Sequence, residues 1–370
     1  MNFQPLQQSL VYLIGSTIAA FLWAPLLTKF LYKYNITRRG EFDPTLQGER
    51  RHKAGTPTMG GLLVIVTVTV ITVLFNWQRR YTYVPIGAMG IAALLGAADD
   101  LLNIFGTKRR LRNVRHTIIL MKVHKRWYMK LWYALTIPWI GFRDLVSMFG
   151  SKQGRGIQVH EKLLLQFGAG AVTAWWVYVK LGASWQTINF PFDGSLYLGW
   201  FIIPVIIFFV MFTANAVNVA DGMDGLAGGS LIAAFLGLTV VSWVEGRTAF
   251  APLNATVVGA LLAYTYFNVK PARFQMGDVG SLGLGTLLAI NAIALNKTLL
   301  IPFFGFIFYV EIFSVILQVL SRRLFGRRLF KMSPLHHHFE IMGWNEEKVV
   351  MRFWIIQAFM VMVGVWLALN

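Results

Sequence analysis

Five of the eight aspartates in the chain stand where apolar runs stop: Asp99 and Asp100, Asp221 and Asp224, and Asp278. An ionisable side chain at a membrane boundary is costly unless it has a partner or faces water, so these positions point to function. Carboxylates with no cysteine and few histidines nearby favour Mg²⁺ or Mn²⁺ over zinc. Gly222, Gly225, Gly277 and Gly280 let a backbone approach closely, and the helix starts beside them supply N–H donors for anions. Asn215, Asn218 and Asn268 add neutral hydrogen-bonding groups. Together these residues predict phosphoryl chemistry on a substrate held next to lipid.

Helix capping competes with that reading for Asp224 and Asp278, which precede apolar runs, since aspartate is a good N-cap. It does not account for Asp99 and Asp100, which close a run. An acid at that end opposes the helix dipole, and a divalent cation is the group expected to favour it. Successive helix positions point about 100° apart. One of the pair is therefore expected to bind metal, the other to serve as a base or supporting group.

A further polar stretch, 332–340, reads MSPLHHHFE. Consecutive residues rarely turn three rings to one ion, so one or two of the histidines are expected on a pyrophosphate rather than a metal. The flanking Arg322, Arg323, Arg327, Arg328 and Lys331 read as charge facing lipid headgroups.

The elements that must position these groups are membrane helices. The 370 residues are 56% hydrophobic and 14% charged, against about 25% charged in soluble domains. The formal charge of +18 marks loops facing anionic lipid and gives no reason to invoke nucleic acid. The absence of cysteine excludes disulfides and thiolate sites. The first apolar run lacks a basic leader and a small-residue cleavage site, so it reads as a retained span.

A membrane helix needs about 20 predominantly apolar residues. On that criterion the expected spans are 10–31, 59–75, 84–102, 163–181, 198–213, 226–244, 252–267, 282–295, 299–320 and 349–369. Loops after the odd-numbered spans hold about 25 of the Lys and Arg residues, those after even-numbered spans and the termini about four. The expected fold is thus an all-α polytopic membrane protein, a bundle of about ten transmembrane helices. Both termini lie on the outer side, the active site at the cytoplasmic face, and residues 1–370 form one catalytic domain. Asp193 falls in an outward loop, 182–197, expected to form a short hairpin, and is excluded from the site.

Residues 103–161 form a long cytoplasmic loop rich in Lys, Arg, Trp and Tyr. Part of it, 131–150, is nearly long enough to span. If it spanned, every later loop would change sides, separating Asp221 and Asp278 from Asp99 and Asp100. The mixed basic and aromatic composition fits helices lying in the interface, with lipid contact, partner docking and mere insertion all open.

With these stretches in view the chain resembles the polyprenyl-phosphate phospho-sugar (N-acetylhexosamine-1-phosphate) transferase superfamily. Within it, the chain is most similar to the phospho-N-acetylmuramoyl-pentapeptide transferase family. The matching stretches are KAGTPTMGG (53–61), GAADDLLN (96–103), NAVNVADGMDGLAGG (215–229), MGDVGSLGLG (276–285) and PLHHHFE (334–340). The resemblance implies a bacterial plasma (inner) membrane enzyme that needs Mg²⁺. It takes UDP-MurNAc-pentapeptide as donor and undecaprenyl phosphate as acceptor among the membrane lipids, and releases UMP; a homodimer stays open.

Carried over by residue, Asp278 is the principal metal ligand, with Asp99 and Asp100 as metal support or acceptor activation. Asp221, Asn218, Lys53 and Thr58 line the cleft, Asp224 and Asn268 lie on the uridine side, and His336 and His337 belong to a catalytic loop. Lys162 is a basic residue opening the fourth span. The family's aromatic residue before MGD is replaced by Gln275, which leaves Phe274, one place earlier, as the candidate to pack on uracil. The long loop 103–161 also departs from the family. Two rival functions are a transferase of N-acetylglucosamine 1-phosphate from UDP-GlcNAc and a cation-coupled transporter. TPTMGG and PLHHHFE argue against the first. Acids at span ends rather than the midplane argue against the second.

Overall fold

In a computed structural model of the chain, residues 4–37, 55–106, 114–146, 159–182, 185–192 and 194–370 are described. Lys53 and Asp193 lie outside them. The described chain is almost wholly helical. Its helices are α1 (Gln4–Lys33), α2 (Leu62–Phe75), α3 (Tyr83–Phe105), α4 (Val114–Val123), α5 (Trp127–Val146), α6 (Val159–Trp175), α7 (Ile202–Ala220), α8 (Leu226–Val244), α9 (Phe250–Asn268), α10 (Gly277–Ala294), α11 (Ile301–Phe304), α12 (Phe306–Leu324), α13 (Leu335–Ile341) and α14 (Glu346–Leu369). The expected hairpin is present: β1 (Thr187–Asn189) pairs antiparallel with β2 (Ser195–Tyr197), Ile188 opposite Leu196.

Among the described residues, seven helices are long and apolar enough to cross a membrane: α1, α3, α7 with its lead-in turn, α8, α9, α10 and α14. An eighth arises if 298–304 and 306–324 count as one span, although they meet at 89°. The difference from ten has physical reasons. α2 is apolar but has only 14 residues, and α6 runs for 17 before passing into a wider π turn at Trp176–Leu181. The break between α11 and α12 falls at Gly305. α5 is not among the helices that meet the spanning test.

α10 is the central pole of the bundle: every residue from Val279 to Ala294 is buried. It packs against α3 and α7, while α9, buried along most of its length, packs against α1 and α8. Small residues make this closeness possible. A Cβ on Gly285 would come within 2.8 Å of Ala214 Cα on α7, and one on Gly96 of α3 would strike the Asp278 carbonyl. Gly61 and Gly280 meet in the same way at the start of α2. Without lipid-excluding hydrophobic force between apolar helices, such tight van der Waals contact is what holds them.

The segment before α2 is fastened to the segment before α10 by backbone hydrogen bonds. Gln275 N–H donates to the Pro57 carbonyl at 2.8 Å, Gly60 N–H to Gln275 at 2.8 Å and Gly61 N–H to Met276 at 2.9 Å. This ladder brings TPTMGG against MGD, which lie more than 200 residues apart in sequence.

Replacing Gly96 by valine should force α3 from α10 and cost about 1–3 kcal/mol, as overpacking does. The thermal-unfolding midpoint in detergent is then expected to fall. Gly87→Val is the control, because nothing lies within 4 Å of the carbon added on that same helix. Equal midpoints for the two variants would contradict the close approach.

Candidate active site

The end of α3, the start of α6, the end of α7 and the start of α10 meet at one point, and each brings a polar side chain. Lys162 Nζ lies 2.5 Å from Asp99 Oδ2 and 2.5 Å from Asp278 Oδ2. Asn218 Nδ2 donates to Asp278 Oδ1 at 2.7 Å and to Ser281 Oγ at 2.9 Å. Asn103, one turn beyond Asp99, donates to Asp99 Oδ2 at 3.1 Å. Asp99 is thus held from both sides, and only 1% of its side chain is exposed, against 21% for Asp278. Asp278 is the more accessible acid of this pair.

Asp100 and Asp221 are turned to backbone. Asp100 Oδ2 accepts from Val279 N–H at 3.2 Å and Asp221 Oδ2 from Gly277 N–H at 3.1 Å. Both carboxylates therefore sit on the first turn of α10, where unpaired N–H groups and the helix dipole favour negative charge. Gly277 has φ +72°, and a Cβ there would lie 2.6 Å from Asp100 Oδ2 and 2.8 Å from Thr58 Oγ1. Glycine is required by both the left-handed backbone and the crowding, and Thr58 is thereby placed in the cluster.

The capping alternative is resolved by these contacts. Asp278 lies inside the first turn of α10 and makes no cap bond to its own helix, and the cap position of α8 is Gly225, not Asp224. The acids that close α3 do oppose their own helix dipole. What compensates them here is the Lys162 ammonium and the neighbouring helix start, rather than a metal alone.

The residues were also expected to hold a divalent ion. Among the described residues no group of three or more His, Cys, Asp or Glu is arranged to hold a metal. Of the expected Asp278, Asp99 and Asp100, Asp100 turns its Oδ2 to the Val279 N–H. Asp278 Oδ2 and Asp99 Oδ2 still converge on a single cationic point, marked by Lys162 Nζ. Two hard oxygens aimed at one position fit magnesium, which takes one or two carboxylates and completes its shell with water and phosphate.

On the other side of the 221–225 turn stands α13. His336 packs against Gly222, where a Cβ would collide with the ring. Its backbone N–H donates to Glu311 Oε1 at 3.0 Å, and its Nδ1 lies 3.1 Å from Glu311 Oε2. His336 Nε2 and His337 Nε2 are 3.1 Å apart, and His337 Nδ1 is 3.1 Å from Glu340 Oε2. His338 points elsewhere, accepting from Lys331 N–H. His338 thus stands apart from the His336–His337 pair.

Glu311 is the functional candidate the sequence argument missed. It is fully buried on α12, and the signal was available: it is the one acid inside the ninth apolar run, where an ionisable residue is functional by default.

Asn268 and Asp224 form a strut rather than an open surface. Asn268 Oδ1 accepts from Gly225 N–H and its Nδ2 donates to the Phe274 carbonyl, each at 2.9 Å. Asp224 N–H donates to Glu346 Oε1 at 2.8 Å, and Ala272 N–H donates to Asp224 Oδ2 at 3.3 Å. The ring of Phe274, the candidate to pack on uracil, is wholly buried here, packed on Tyr264 and Phe267 with centroids at 5.8 and 5.9 Å. It presents no open face to a base because Gly60 closes over it.

Fold and centre together define a polytopic α-helical membrane protein with a buried, lysine-bridged acidic cluster. The profile described as Glycosyl transferase family 4 matches residues 127–296, and Phospho-N-acetylmuramoyl-pentapeptide-transferase signature 1 matches residues 53–65. A protein named phospho-N-acetylmuramoyl-pentapeptide-transferase from Thermoanaerobacter sp. (strain X514) is 32% identical over 93% of this chain and 95% of its own. One of that name from Chloroflexus aurantiacus (strain ATCC 29366 / DSM 635 / J-10-fl) is 35% identical over 86% of this chain and 78% of its own. Another, from Geobacillus sp. (strain WCH70), is 32% identical over 98% of both. The chain belongs to the phospho-N-acetylmuramoyl-pentapeptide-transferase family.

Glu311→Leu should leave the His336 N–H without its buried acceptor and cost about 1–3 kcal/mol, read as a lower thermal midpoint. Glu311→Gln keeps an acceptor and should lose less. Equal loss in both variants would show that the carboxylate charge, not the hydrogen bond, holds α13.

Proposed function

We propose that the protein transfers phospho-MurNAc-pentapeptide from UDP-MurNAc-pentapeptide to undecaprenyl phosphate, releasing UMP. The observation that carries the site assignment is the convergence of Asp278 Oδ2 and Asp99 Oδ2 on one cationic point at the start of α10. Asn218 orients Asp278 for that role. An oxygen of the acceptor phosphate attacks the β-phosphorus of the donor. A new P–O bond forms as the bond to the UMP oxygen breaks, and UMP leaves with that electron pair.

In such chemistry positioning and electrostatics supply most of the catalysis. Magnesium, held by Asp278 and Asp99 when bound, supplies positive charge opposite the departing phosphate. Lys162, whose ammonium stands at that point in this structure, would give it up to the ion and pair instead with the phosphates as their charge develops. The acceptor phosphate is largely ionised near neutral pH, as phosphate monoesters are, so Asp100 is needed to anchor α10 more than to remove a proton. His336 and His337 face the donor pyrophosphate across the turn that carries Asp221, with Thr58 lining the same cleft. Asp224 and Asn268 hold the turn on the nucleoside side.

The topology completing this reading has ten spans, with α2, α6 and the bent α11–α12 pair added to the seven long helices. The excess of Lys and Arg in alternate loops supports both termini outside and the site facing the cytoplasm of a bacterial inner membrane.

Purified protein given undecaprenyl phosphate and Mg²⁺ should release UMP from UDP-MurNAc-pentapeptide and not from UDP-GlcNAc. Chelation should stop release. Asp278→Asn should lower turnover by about 10²–10³, the range for loss of a preorganised charge-stabilising group. Release from UDP-GlcNAc would transfer the assignment to the other branch of the superfamily, and near-normal turnover of the Asp278 variant would remove the metal role.

A further inference from the structure

The α4–α5 hairpin takes no part in the acidic cluster, yet α5 has a divided surface. Met129, Tyr133, Thr136, Ile137 and Ile140 of α5 lie on its inner side, with Tyr133 and Ile140 buried. At 100° per residue, Trp127, Leu131, Trp132, Leu135, Trp139 and Phe142 fall within an arc of about 140° on the other side. All six are exposed, Trp132 by 62% and Leu135 by 67%. The turn joining α4 to α5 is as uniform in charge: Lys122, Lys125, Arg126 and Lys130 are exposed, and residues 114–142 contain no Asp or Glu.

An apolar ridge of this length facing water would be an aggregation liability. Ridge and basic turn together match the pattern of a helix lying in the membrane plane, with aromatic residues at the acyl boundary and cations at headgroup level. We propose that the α4–α5 hairpin is an in-plane anchor for anionic phospholipid, its ridge seated at the acyl boundary and its basic turn on the headgroup phosphates. Charge complementarity selects that occupant: four cations with no acid among them need an anionic surface, and the protein is already in a bilayer. The hairpin holds α6 through Trp139, whose ring lies edge-on to His160 with centroids 5.2 Å apart. His160 is two residues before Lys162, so the anchor steadies the helix that supplies the bridging lysine.

The chain contains no cysteine, which allows a single probe in the full-length protein. Leu135→Cys carrying an environment-sensitive fluorophore is placed in nanodiscs of phosphatidylcholine alone or with phosphatidylglycerol. Quenching by lipids spin-labelled near the headgroup, by lipids labelled at the chain end and by aqueous iodide is then compared. The expected result is strong shallow quenching and low iodide access with phosphatidylglycerol, weakened by high salt. Each basic group near an anionic surface adds roughly fivefold to partitioning. Combining K122Q, K125Q, R126Q and K130Q should therefore lower the ratio of lipid to iodide quenching at least fivefold. The salt series on the unsubstituted turn gives the same reading if that variant does not fold.

Iodide access in both lipids would overturn the proposal and leave the ridge to a protein partner. Quenching strongest from the chain end would overturn it in favour of a spanning helix. Shallow quenching indifferent to phosphatidylglycerol and salt would overturn the role of anionic lipid.

Discussion

A carboxylate taken out of water into an apolar bundle costs several kcal/mol unless a counter-charge and hydrogen bonds replace its hydration. Asp99 meets that condition through a lysine from another helix and an asparagine from its own. Asp278 meets it through the same lysine and Asn218. The bridge is therefore a condition on the whole fold: α3, α6, α7 and α10 must end or begin at the same level, or at least one buried charge is left unpaired. The lysine-bridged acids thereby fix helix register as well as the local charge.

Close packing makes the bridge geometrically possible. α10 is buried on all sides, and its glycines admit the backbones of α2, α3 and α7 to near contact. Larger side chains would widen these spacings and draw the carboxylates away from the lysine. Gly277 extends the same logic into the site, where left-handed backbone and contact with Asp100 and Thr58 occur at one residue. The backbone ladder from Pro57 to Met276 then fixes Thr58 over the start of α10.

The histidine arm is built differently. α13 has only seven residues, too few to hold its own position, and its histidines are held by Glu311 from within α12 and by contact with Gly222. Glu311 accepts the backbone N–H of His336, which ties the position of His336 to α12. The chain His336–His337–Glu340 then leads from that buried acid toward the surface.

The membrane class, most of the long helices and the acids at their ends were legible in the amino-acid sequence. Long apolar runs in a chain with few charges have one solution in lipid, and acids at the ends of such runs are too costly to be incidental. Close backbone approach at Gly280 was legible from the glycines beside the acids, while its partner Gly61 was not. The partners of the acids were not legible. Lys162 sits in a basic loop among many lysines and arginines, and nothing local marks it as the one that reaches Asp278 across 116 residues. The burial of Phe274 was equally hidden, since it depends on Gly60 folding over it from the far end of the chain. Local sequence determined where charge interrupts the apolar runs. Only the tertiary structure decided which opposite charge answers it, because that depends on which helix ends the packing of small residues brings to the same depth.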